Sequence, residues 1–169
     1  AGRTELVKCL IGLEKIIEGD VIINGKKTAI DSPKSALEKF KIGYISEDRK
    51  KEGLILIHNV LDNTSITVWS QIKKAAGLVT DGMIANKVDP YIRKLEVKTP
   101  SNYQIVSNLS GGNQQKISVA KWLAAGTDIL IIDEVSMMSQ KLFEMLDAIG
   151  KAVRRNPKPF GGIQVIFSG

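Results

Sequence analysis

Two periods run through the apolar positions of this chain, and each marks an element. From Thr4 to Leu13 the apolar residues Leu6, Leu10 and Leu13 fall three to four apart, which predicts a short amphipathic helix. Asp20-Val-Ile-Ile-Asn24-Gly25 followed by Lys26 to Ile30 predicts two short strands around a tight turn, because Asn-Gly tolerates the positive φ such a turn demands. Ser32-Pro33 supplies an N-cap and a first-turn proline for a helix to about Phe40, and Lys41 to Ser46 reads as a strand. Glu47 to Gly53 is too charged and aperiodic for core and is expected to be a solvated connection or contact loop. A helix is expected from about Leu61 to Trp69, then a flexible stretch around Gly77 and Gly82. A further helix is expected from about Met83 to Leu95, kinked or broken at Pro90. After a linker from Pro100 to Val106, a helix starts at Ser110-Gly-Gly112 and runs to about Ala125, and Asp128 to Asp133 reads as a buried strand. A long helix follows with Leu142, Met145, Leu146, Ile149 and Val153 on one stripe, and Gly162 to Ser168 reads as a last strand. Helices alternating with apolar strands predict an α/β fold with a parallel sheet, plus a small antiparallel element near the N-terminus.

Composition adds limits. The 169 residues, 43% apolar and 25% charged, suit one globular domain. The formal net charge of +6 is spread along the chain, so it does not by itself indicate a nucleic-acid partner. A single cysteine, Cys9, excludes an internal disulfide framework and a cysteine-cluster metal site, and points to a reducing, cytoplasmic setting. No stretch approaches the ~20 apolar residues of a membrane span, so any membrane role is expected to be peripheral. Ala1 opens in a glycine turn without a preceding strand, and the chain reads as a fragment of a larger domain.

Chemistry concentrates in three segments. In Leu109-Ser110-Gly111-Gly112-Asn113-Gln114-Gln115-Lys116, the amides of a helix N-terminus and the Ser110 hydroxyl offer a place for a phosphate. In Ile129-Leu130-Ile131-Ile132-Asp133-Glu134, an apolar strand delivers two carboxylates to its carboxyl end, where open α/β sheets bind ligands. Asp133 is the candidate to hold Mg²⁺ or its water shell, and Glu134 to orient or deprotonate an attacking water. Ala1-Gly2-Arg3-Thr4-Glu5-Leu6 is a glycine turn before a helix.

The eight-residue string at Leu109 resembles the signature motif of ATP-binding-cassette ATPases, in the form found in the sugar-import branch. About twenty residues later, the Asp133-Glu134 strand has the spacing of that family's Walker B strand. Ala1 to Leu6 looks like the tail of a phosphate-binding loop with Arg3 in place of lysine, as in the degenerate second half of such ATPases. Ile45-Ser-Glu-Asp-Arg-Lys-Lys-Glu-Gly-Leu54 looks like the charged segment of that same half. The likeness, over about residues 1–134, implies a P-loop NTPase with a RecA-like core whose first P-loop strand is missing here. It implies ATP and Mg²⁺ as cofactors, Gly2, Arg3, Thr4, Ser110, Gly111, Gly112 and Gln114 as nucleotide-binding residues, and Thr4 beside Asp133 at the metal. Glu47 would stand where an active ATPase places the glutamine that senses Mg²⁺ and the transporter. Another nucleotide-binding domain and membrane permease subunits are the implied partners, at the inner face of the cell membrane.

Beyond Glu134 the pattern changes. Val135-Ser136-Met137-Met138 stands where a cassette has Pro-Thr and a D-loop, and the only histidine, His58, lies far upstream and reads as a surface or loop residue. Residues 129–169, with Pro159-Phe160-Gly161-Gly162 before an apolar strand, look like PIF-type DNA helicases, which would make nucleic acid a partner. The two likenesses overlap at Ile129 to Glu134, and the sequence reads as a chimera joined there, or else as one divergent family. With Arg3 for lysine and neither D-loop nor switch histidine, ATP hydrolysis by this chain alone is expected to be very weak. Trp69 and Trp122 read as core or interface anchors, and Arg154, Arg155 and Lys158 as cations complementing a helix end.

Overall fold

A computed structural model describes residues 2–169 of the chain, leaving aside the side chains at 74–76. Asn24 and Gly25, both at positive φ, turn β1 (Val21–Ile23) onto β2 (Lys26–Thr28) as an antiparallel pair. Before them, α1 (Arg3–Leu10) is shorter than its apolar spacing predicts. It buries Val7, with Ile11 just beyond its end, while Leu6 and Leu13 face solvent. The inward pair is spaced i, i+4, which keeps both side chains over one another on the sheet side.

Ser32 caps α2 (Pro33–Phe40), its Oγ accepting from the Ser35 amide at 3.2 Å. β3 (Ile42–Ile45) follows. The charged segment after it is not an open loop. Asp48 accepts from the Lys51 amide at 3.2 Å, Arg49–Gly53 closes as a π-helical turn, and Gly53 is buried. The helix expected over Leu61 to Trp69 is two helices, α3 (Val60–Ser65) and α4 (Trp69–Ala76), parted by a turn. Buried Asn63 anchors that region: its Oδ1 accepts from the Ile55 amide at 2.7 Å, and its Nδ2 donates to the carbonyls of Ile55 and Asn59. Next, α5 (Asp81–Lys94) runs through Pro90 without a break, held to the core by Ile84, Val88 and Ile92 on one face. Packing thus offsets the hydrogen bond that proline removes.

α6 (Gly111–Ala125) starts at Ser110 and ends at Gly126 in a left-handed conformation. β4 (Ile129–Ile132), α7 (Gln140–Arg154) and β5 (Gln164–Phe167) complete the chain. The sheet order is β3-β4-β5, all parallel, with Ile42 opposite Ile129 and Ile129 opposite Gln164. Among the described residues β5 pairs on one side only, as an edge strand. On one face of the sheet Ile45, Leu130 and Ile132 pack with Val119 and Leu123 of α6 and Leu142, Leu146 and Ile149 of α7. On the other, Ile42 and Ile131 pack with Val7, Ile11, Ile30 and Ala36. A third cluster lies among α3, α4, α5 and α6. Among the described residues no helix is long and apolar enough to cross a membrane.

Candidate functional site

β4 is buried on both faces and ends at Ile132, so Asp133 and Glu134 emerge at its carboxyl end. The Asp133 amide donates to Ile45 O at 2.9 Å, which carries the β3–β4 pairing up to the acid itself. Its carboxylate is buried and accepts from the Tyr44 hydroxyl at 3.2 Å. Burial pushes the Tyr44 phenol up to about 12, so it remains a donor to Asp133 throughout the neutral range. Glu134 adopts a left-handed backbone, φ 49 and ψ 59, and its Oε2 accepts from Ser136 Oγ at 3.2 Å. A left-handed non-glycine residue at the end of a central strand is a local strain of the kind that collects at functional sites. Ser168, at the end of β5, donates its amide to Ile132 O at 2.9 Å and accepts from the Val135 amide at 3.1 Å.

The glycine turn at the N-terminus comes to this same place. Gly2 has φ +89 and opens α1, with the Leu6 amide donating to Gly2 O at 3.0 Å. Gly2, Arg3, Thr4 and Glu5 line one cavity of about 300 Å³ with Asp133, Glu134 and Ser168. The turn at Gly2 and the acids at Asp133 and Glu134, far apart in sequence, therefore line one site. Its donors are hard oxygens, a buried carboxylate and a hydroxyl, and no group of three acidic, cysteine or histidine side chains gathers among the described residues. That suits Mg²⁺, which keeps waters and takes phosphate oxygens rather than a full set of protein ligands.

Glu47 is exposed and lines a second, water-sized cavity of about 20 Å³ on the neighbouring face. Arg49, Gln115, Ser118, Asp133 and Glu134 share that lining. Ser110, Gly111 and Gly112 are exposed at the start of α6 and line neither cavity. Ser110 Oγ caps the helix, accepting from the Asn113 amide at 3.4 Å. Gln114 does not join them: it is buried, and its Nε2 donates to the carbonyls of Val106 and Leu109, both at 3.1 Å. Its side chain shapes the turn from inside, which does not fit a direct contact with nucleotide. His58 lies in a loop with Nδ1 3.6 Å from Asp62 Oδ2, remote from the acids in sequence and absent from both linings.

Sequence reasoning missed Tyr44, Arg49 and Ser168. Tyr44 left a signal, since a phenol in an otherwise apolar strand needs a polar partner. Arg49 left none within a run of like-looking charges.

The ABC transporter family model matches residues 1–137. The ribose import ATP-binding protein RbsA of Clostridium tetani is 45% identical over 161 residues, covering 90% of this chain and 32% of its own length. The xylose import ATP-binding protein XylG of Thermoanaerobacter pseudethanolicus is 40% identical over 135 residues, covering 79% of this chain and 26% of its own. The chain thus spans about a third or less of these relatives. In a solved dimeric post-hydrolysis state of an ATP-binding cassette bound to ADP and Pi, the fold matches with a TM-score of 0.72 at 21% identity. That match covers 99% of this chain and 69% of the other.

These matches correct the reading of residues 129–169. A relative aligned over 90% of the chain takes in a large part of that segment, and the cassette fold takes in nearly all of it. They support neither a helicase segment nor a chimera, and with the helicase goes its nucleic-acid partner. The apparent likeness has a physical source, because an apolar strand ending in Asp-Glu, a helix and a second strand form a unit common to RecA-like cores. The fold is a P-loop NTPase fold of the cassette type, α/β with a parallel sheet and a small antiparallel one. By the match of its residues 1–137, most of its length, the chain belongs to the ABC transporter family.

Proposed function

We propose that the chain is part of the second nucleotide-binding half of a sugar-import ATPase, binding Mg-ATP on the face where the Gly2 turn meets Asp133 and Glu134. The observation that carries this reading is the shared cavity of Gly2, Arg3, Thr4, Asp133, Glu134 and Ser168. The opening amides of α1 and the Arg3 guanidinium face phosphate there, an anion suited to a helix N-terminus and a cationic fork. Asp133, kept in place by Tyr44, and the Thr4 hydroxyl hold the metal side. Bound Mg²⁺ supplies charge neutralisation at the β- and γ-phosphates. Glu134 presents a carboxylate to the attacking water, and Glu47 stands at the neighbouring cavity as a sensor of the site. Ser110, Gly111 and Gly112, free at the surface, close on the γ-phosphate held by a second nucleotide-binding domain. Permease subunits and the cytoplasmic face of the membrane complete the assembly, and turnover by this chain alone is very slow because Arg3 replaces lysine.

The test is calorimetric titration of Mg-ATP into the purified chain, with Asp133→Ala titrated beside it and thermal melts of both. Binding by the wild type that disappears in Asp133→Ala, with cooperative melting in each, is the expected result. A cooperatively melting wild type that binds nothing, or a variant that binds equally well, overturns the reading.

A further inference from the structure

Arg49 stands at an unusual place for a cation. It opens the π-helical turn after β3, and its head reaches the first turn of α6, where Nη2 lies 3.0 Å from the point a Cβ on Gly111 would occupy. Its Nε is buried without a partner, and among the described residues its guanidinium makes no hydrogen bond or ion pair. The N-terminus of a fifteen-residue helix carries partial positive charge, so it repels this group. The small cavity that Arg49 lines is also lined by Glu47, Asp133 and Glu134, side chains of opposite charge. Ser118 of α6, 1% exposed, also lines it and also has an unpartnered Oγ, 3.7 Å from where a Cβ on Gly53 would stand. Arg49 therefore shares a cavity lining with the acids, while its Nη2 stands beside the space that glycine leaves at position 111.

From this geometry we propose that Arg49 is a positioning residue that carries the charge state of the acid pair to the Ser110–Gly112 turn within one chain. The proposal rests on the reading of Asp133 and Glu134 as the acids of an Mg-nucleotide site. When a divalent cation takes up the charge of Asp133, the pull on the guanidinium weakens, and the Arg49 head shifts against Gly111. The first turn of α6, with its exposed amides, moves with it. Glycine at 111 thus does two things: it leaves its amide open to a partner's phosphate, and it leaves room for the Arg49 head that reports on this chain's own site.

The reporter is Arg49 itself. A buried Nε–H exchanges slowly with water and gives a resolved side-chain ¹H–¹⁵N resonance. The chain has only four other arginines, Arg3, Arg93, Arg154 and Arg155, so the signal is assigned by its loss in Arg49→Lys. The expected result is that this resonance shifts in Gly111→Ala, and shifts again on adding Mg-ATP to the wild type. The Gly111 and Gly112 amide signals should move in step with the second shift and lose that movement in Arg49→Lys. A resonance unmoved by Gly111→Ala overturns the contact. A resonance unmoved while calorimetry records Mg-ATP binding overturns the linkage. If the wild type binds no Mg-ATP, it is the nucleotide reading that fails. The linkage is then read in Asp133→Asn, which removes the charge without a ligand and must shift the Arg49 signal if the acids hold it.

Discussion

Lys121 shows how much one side chain can hold in place. It is only 8% exposed on α6, and its Nζ donates to Gly53 O at 2.6 Å and lies 5.0 Å from the centroid of the Trp122 ring. Its backbone carbonyl accepts from Thr67 Oγ1 at 2.9 Å, so one residue ties the helix to the π-helical turn and to the α3–α4 junction. Glu52 and Tyr44 line the groove beside it, and burial pulls its pKa down to about 8. An unfolded lysine titrates near ~10.4, so below pH 8 the folded state carries a charge that the unfolded chain carries more easily, a difference of about 3 kcal/mol. Between pH 8 and 10 the unfolded chain binds more protons, and the contribution of this group to stability rises with pH. Melting of the wild type is accordingly expected to improve relative to Lys121→Met across that interval, with a constant gap between them below it. Parallel curves throughout pH 7 to 10 would show that the ammonium is not held in the buried state described.

At the scale of elements, the tightest approach joins α7 to the 3₁₀ turn Pro159–Gly162. A Cβ on Gly150 would stand 2.5 Å from Phe160 O, and one on Gly161 would meet the Gly150 carbonyl. Asp147 fastens the same corner, accepting from the Phe160 amide and from Lys151 Nζ, both at 2.6 Å. Gly150→Ala, ordinarily a favourable change in a helix, is expected to destabilise the chain by about 1–3 kcal/mol through this overlap. A melting temperature equal to or above that of the wild type would contradict it. Such contacts explain what the sequence does and does not disclose. Ser32 and Ser110 cap their helices where the sequence places a start, because capping is settled within four residues, whereas Thr80 starts α5 ahead of the Met83 expected from the sequence, taking Gly82 into the helix, and Ser139 caps α7. Asn24-Gly25 is legible for the same reason. The turn at Arg49 is not, since Lys121 and Ser118 that shape it come from another part of the chain. Likewise α5 keeps its course at Pro90 through tertiary packing, and Gln114 faces inward because the Val106 and Leu109 carbonyls need a donor. Of the candidate site, the acid-bearing strand was plain from its apolar run, whereas the meeting of Gly2 with Ser168 depends on strand order.

For the molecule as a whole, the three parallel strands are the frame, and both faces are covered: α6 and α7 on one side, α1, α2 and the hairpin flank on the other. Strand order also decides the position of the site, because β4 lies in the middle and its carboxyl end gathers what its neighbours bring. That order carries a kinetic consequence. β4 reaches β5 through one helix, whereas Ile42 must find Ile129 across α3, α4, α5 and α6. Closing the longer loop costs more chain entropy before any ladder bond compensates, and non-local parallel pairing is slow. During refolding, the amides of Ile166 and Ser168 should gain protection from exchange before those of Gly43 and Ile45, as read by pulse labelling. Simultaneous protection would mean that the helices between β3 and β4 fold first and deliver both strands together. In the expected order, the acids at the end of β4 acquire the Ser168 backbone early and Tyr44 only in the last step, so a competent site is also the signature of a finished fold.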